Sequence, residues 1–132
     1  MQNVGEFAYA EQDRPVLGAE LRGGELYPEL RGKVYVYVLP GGVYFQGDFT
    51  DLPPNSTLSF HIHEGLLCEN KGEKLLILPD VMADGSGAAS MQVYLDRITH
   101  TEIAGRPVVV HLQDPDGKDA ESIACGLLRR IL

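Results

Sequence analysis

Between Lys33 and Val38 the side chains fall into two alternating sets, with Val34, Val36 and Val38 on one side and Tyr35 and Tyr37 on the other. Side chains switch face at every residue of an extended chain, so this spacing requires a strand and excludes a helix. The same period returns repeatedly. Leu39-Pro40-Gly41-Gly42 is a turn and Val43 to Phe49 alternates again, which makes a hairpin. After a loop at Asp51–Asn55, Leu58, Phe60 and Ile62 share one face of a strand, and Ser59, His61 and His63 share the other. Glu64 to Lys74 is a polar loop. Leu75 to Leu78, Ser90 to Leu95, Pro107 to Leu112 and Ser122 to Leu128 read as further strands. Turn residues stand between them at Ala83–Gly87 and Asp114–Gly117, and the irregular stretch Arg97–Gly105 carries one helical turn at Thr101-Glu102-Ile103. Seven or eight short strands without a convincing helix imply an all-β sandwich or barrel.

A chain of 132 residues has room for one core. Residues 1–15 lack periodicity and are expected to form an N-terminal arm, leaving 16–132 as the domain. No apolar run is long enough to cross a bilayer, and no basic-then-apolar leader opens the chain, so the expected compartment is the cytoplasm; a trimmed exported chain would look the same. The net charge of −8 argues against nucleic acid and anionic membranes as partners. It also opposes any anionic substrate at long range.

Chemistry concentrates in the histidines. Four are present, and two form His61-Ile62-His63. On a strand these two imidazoles point the same way about 6.5–7 Å apart along the chain, and both can reach one metal through bonds of about 2 Å. Ile62 between them points into the core and anchors the pair. A third, His111, ends Val108-Val109-Val110-His111 and shares a face with Val109. Three imidazoles suit copper or zinc, provided the two strands are neighbours, which periodicity does not supply. Without that, His61 and His63 are surface residues. Cys68 and Cys125 are compatible with a disulfide, two buried thiols or soft-metal ligands, and composition alone favours buried thiols.

Four segments, in order, resemble the copper/zinc superoxide dismutases. Phe60-His61-Ile62-His63-Glu64-Gly65 resembles that family's FHxHE-type segment, which carries two copper ligands. Gly105-Arg106-Pro107-Val108-Val109-Val110-His111 resembles the segment carrying a third. Ile123-Ala124-Cys125-Gly126 resembles the ACG segment holding half of an intrasheet disulfide, whose partner follows the HxH strand, where Cys68 lies. Arg31-Gly32-Lys33-Val34 resembles the family's second strand. The similarity runs from about Val16 to the C-terminus. It implies a Greek-key antiparallel β-sandwich or barrel of seven to eight strands, immunoglobulin-like, with copper held by His61, His63 and His111 and a Cys68–Cys125 disulfide.

The departures from that family shape the expected function. The interval Glu64 to Asp80, where zinc ligands would fall, contains no histidine, and Ile77 stands near the position of the zinc-binding aspartate. No zinc is expected. The long loop before the ACG segment is cut to about thirteen residues, and Ser122 occupies the place of an active-site arginine. The resemblance therefore implies a copper-only enzyme that dismutes superoxide anion to dioxygen and hydrogen peroxide by Cu(II)/Cu(I) cycling at a wide, exposed three-histidine site. The alternative is a protein that stores or transfers copper with little or no catalysis, and a domain without a metal is a third reading. A monomer is preferred to a homodimer. His100 reads as a surface residue, Asp114 and Asp116 as turn residues, Arg106 as structural, Arg129 and Arg130 as solvated. Glu64 either orients a ligand or faces solvent, and Asn55-Ser56-Thr57 fits a glycosylation acceptor.

Overall fold

A computed structural model of the protein describes residues 14–131. The expected arm, residues 1–15, lies outside the described residues except for its last two. The remainder is nine strands and one short helix: β1 (Leu17–Gly23), β2 (Arg31–Leu39), β3 (Gly42–Thr50), β4 (Thr57–His63), β5 (Lys74–Met82), β6 (Ala89–Asp96), α1 (His100–Ile103), β7 (Pro107–Gln113), β8 (Asp119–Leu127) and β9 (Arg129–Arg130). Eight strands form one antiparallel sheet in the order β5-β4-β7-β8-β1-β2-β3-β6, and β9 adds to β1. The end strands β5 and β6 meet without a hydrogen-bonded ladder, which leaves a nearly closed barrel. The chain crosses the barrel twice, from β3 to β4 and from β6 to β7, giving the Greek-key order.

Alternation decides which side chains fill the barrel. Val34 and Val36 of β2, Val43 and Phe45 of β3, Leu58, Phe60 and Ile62 of β4 and Val108 and Val110 of β7 are all fully buried or nearly so. Phe49 and Phe60 meet edge to face with ring centroids 5.5 Å apart, an arrangement that adds to the burial of both rings. Val38, at the barrel's end, emerges into solvent. The interior alone accounts for much of the stability, at about 25 cal/mol per Å² of apolar surface removed from water.

Two strands go beyond the sequence expectation. β1 is a full strand whose Leu17, Ala19 and Leu21 face the core. β5 continues past Leu78 through Pro79 and Asp80, where its register against β4 shifts between Leu58 and Phe60. Proline lacks an amide hydrogen, and an edge strand with a bulge tolerates it. The expected helical turn is α1, opened by Thr99, whose amide and hydroxyl both donate to the Glu102 carboxylate.

Strands β4 and β7 are unusual in being buried on both faces. Outward-facing His61 pairs with Val109, and Val109 pairs with Cys125. A disulfide joins Cys125 to Cys68, so the loop after β4 is fastened across the outer side of Val109. Gly65 lets that loop turn back, because a Cβ there would run into the backbone of Asn70 and Lys71. Arg106 also ties the loop down by donating to the Glu64 carbonyl.

Candidate metal centre

The pairing of β4 with β7 supplies the fact that alternation lacks. His111 lies directly across from Ser59, two residues from His61 on the same face. His61, His63 and His111 consequently gather on the outer side of the sheet, with ring centroids 6.1, 5.2 and 5.6 Å apart. One nitrogen from each ring lies within 4.8 Å of the others. Three nitrogens bound to one ion at about 2.0–2.1 Å stand roughly 3.3–4.1 Å apart, so a small closing movement of one ring completes the set.

Hydrogen-bond polarity shows which nitrogens are available. His63 Nδ1 lies 2.9 Å from the Gly72 carbonyl oxygen, and His111 Nδ1 lies 3.3 Å from that of Ala120. A carbonyl only accepts, so both Nδ1 atoms carry the hydrogen, and in the neutral form of each ring Nε2 is the lone pair. Those two lone pairs face each other at 3.4 Å. The third ring has Nε2 3.5 Å from Asp119 Oδ2, and its Nδ1 is buried with no hydrogen-bond partner among the described residues. Converging acceptors with no donor between them are what a cation satisfies. Oxygen acceptors on the far nitrogens are the usual outer support of metal-bound histidines.

Electrostatics favours the neutral, ligating form. The pKa of His61 is lowered, first by burial, with His111, Lys74 and His63 adding to the effect and Asp119 opposing it. That of His111 is lowered by burial, against the Ala120 carbonyl. Asp119 is held at about 2, chiefly by a hydrogen bond from Ser59 and then by Lys74, whose Nζ lies 2.9 Å from Oδ2. Neutral imidazoles bind metal without first releasing a proton.

The expectation of a wide, exposed site is corrected. Residue exposure is 3% at His61, 5% at His63 and 8% at His111. The disulfide-fastened loop brings Gly72 against His63, and the first residues of β8 bring Asp119 and Ala120 against the other two rings. Cys68 and Cys125 are disulfide-bonded rather than buried thiols. His100 starts α1 and stands outside the histidine group. The Glu64 and Ser122 side chains are exposed, Ser122 on the strand position opposite His111. Asp114 and Asp116 shape the turn, where Asp116 accepts from the Lys118 amide.

The carboxylate that reaches the site is Asp119, which the sequence reading passed over. Its signal lies in the turn itself. A hairpin closing at Asp114–Gly117 folds Asp119 back beside Gln113, two residues beyond His111. The alternation puts Ser59 on the face of His61 and His63, but its role and that of Lys74 become visible only through Asp119. No helix among the described residues is long and apolar enough to cross a membrane. Compared with known proteins by sequence, the chain matches no family model and no curated protein.

Proposed function

We propose that the three-histidine centre binds copper and that the chain is a copper-only protein of the superoxide dismutase type. The single observation that carries this reading is the convergence of unprotonated nitrogens. Nε2 of His63 and Nε2 of His111 stand 3.4 Å apart in a buried group that the His61 ring completes. His61 Nδ1 is buried without a partner among the described residues, and the opposite nitrogen of each ring lies near an oxygen. Three neutral imidazoles hold divalent copper more tightly than zinc in the general order of stability. The four segments resembling copper/zinc superoxide dismutases give the same metal and suggest the reaction, in which two superoxide anions and two protons become dioxygen and hydrogen peroxide. Bound copper supplies the one-electron couple. The protein would hold the three nitrogens in place, and burial favours the neutral form of His61 and His111.

A second reading, copper storage or transfer without turnover, draws on the burial of the rings and on Ser122, which offers no positive charge to an anion. Lys71 and Lys74 are the cations that act on the rings, and Lys74 is already paired with Asp119. The disulfide fits an oxidising compartment better than a reducing one, which favours an exported protein over the cytoplasmic one expected from the sequence. The test is superoxide decay with the copper-loaded protein beside equal copper in free histidine. A faster rate with the protein supports the enzyme. A rate no faster overturns catalysis and leaves a copper carrier.

A further inference from the structure

Around His61 the hydrogen bonds run in one direction, and the direction is set by residues that are not themselves members of the three-histidine group. The chain starts at Gln113 on β7, whose Nε2 donates to Ser59 Oγ at 3.0 Å. With a lone pair of that oxygen taken by Gln113, the single hydroxyl hydrogen of Ser59 goes to the Asp119 carboxylate, with which it hydrogen-bonds. Lys74 Nζ, at the start of β5, donates to Asp119 Oδ2 at 2.9 Å. A carboxylate accepts and never donates. The group that faces the same oxygen from the other side, His61 Nε2 at 3.5 Å, is therefore the N–H of its ring. A neutral imidazole has only one, so Nδ1 is the lone pair, and it is the buried atom that lacks a partner.

We propose that Lys74, Ser59 and Gln113 are positioning residues that act through Asp119 to preset His61 as its Nε2–H tautomer, with the Nδ1 lone pair turned toward the position the metal would take. The inference rests on reading the three histidines as a metal site, and it assigns this chain's own second layer to that site. Four strands contribute: β4 through Ser59, β5 through Lys74, β7 through Gln113 and β8 through Asp119. The arrangement differs from that of His63 and His111, whose tautomers are set by backbone carbonyls. Only His61 depends on side chains, so it is the ligand whose binding state substitution can alter without moving the backbone.

Two measurements test it. Long-range ¹H–¹⁵N NMR of the metal-free protein reads the tautomer directly, and His61 is expected as Nε2–H. Wild-type protein showing Nδ1–H at this ring overturns the proposal whatever the variants do. Copper affinity, measured by competition with a chromophoric chelator, should fall about 10-fold in Lys74→Met and recover in Lys74→Arg. It should fall about 10- to 100-fold in Asp119→Asn, because the amide can present N–H to Nε2 and drive the hydrogen onto Nδ1. A merely structural aspartate would tolerate the isosteric amide. Lys74→Met with an unchanged tautomer and affinity sinks the proposal. Neither readout involves superoxide, so a protein that shows the tautomer and the affinity losses yet does not dismute overturns the enzyme reading and leaves this one standing.

Discussion

Nε2 of His63 and Nε2 of His111 stand 3.4 Å apart across 48 residues of sequence, each ring having given its only hydrogen to a backbone carbonyl. Two acceptors held face to face gain nothing from each other, and the strands that hold them are anchored by the core rather than by the rings. His61→Ala and His111→Ala should each weaken copper binding by more than about 100-fold, beyond the loss from any outer-layer change. The metal-free variants should still unfold within about 2 kcal/mol of the parent. Isothermal titration with copper and urea unfolding of the apo proteins check both halves, and collapse of either variant would mark the rings as structural.

The chain should take one copper and no accompanying zinc. Glu64 to Asp80 contains no histidine, and His61, His63 and His111 are the one group of three metal-ligating side chains among the described residues. Elemental analysis after loading with both metals gives the answer, and one zinc beside each copper would refute it.

The Cys68–Cys125 bridge spans 57 residues. On the chain-entropy account, a loop of that length is worth about 4 kcal/mol of stability. Cys125→Ser, or reduction of the native protein, should lower the urea midpoint accordingly. An unchanged midpoint would mean that the reduced, unfolded chain is already restrained.

Asp84 gives the fold a dependence on acid that is independent of the histidines. Its Oδ1 accepts from Ser86 Oγ, the Ser86 amide and the Ala88 amide at 2.7, 2.8 and 3.0 Å. These bonds, the Ser86 hydroxyl foremost, hold its pKa below the ordinary carboxylate value. A depressed carboxylate stabilises the folded form above the unfolded pKa, near 4, and that contribution disappears as the pH falls through the folded value. Asp84→Ala should therefore melt below the wild type at pH 7, and the gap should narrow below about pH 4. Melting curves recorded across that range will show the convergence, and parallel curves would contradict it.

Much of this architecture was legible in the residues because strand periodicity is a local property. Val34 to Val38, Leu58 to His63 and Val108 to His111 announce their faces, and the structure buries the sets that alternation selects, except for Val38 at the barrel's rim. What stayed hidden depends on pairing. Nothing near His111 in sequence says that it will lie across from Ser59. Asp119 becomes part of the site only when a turn reverses the chain. The burial of the three rings is not legible for a related reason, because the loop after β4 covers His63 only once a bridge to β8 has fixed its path, and Asp119 and Ala120 reach the other two rings only once β8 pairs with β7. The apolar run Leu75 to Leu78 marks only part of β5, because Pro79 and Asp80 carry no strand signal of their own. A bulge absorbs the proline.

The unladdered seam between β5 and β6 has a consequence for where the molecule yields first. Backbone amides along that gap lack a neighbouring strand and should trade their hydrogens with heavy water soonest. β4 and β7 each have strands hydrogen-bonded along both edges, so the histidines ride on some of the slowest-exchanging backbone in the barrel. Opening of the seam would reach β5 first, and β5 stands between it and the strand that carries His61.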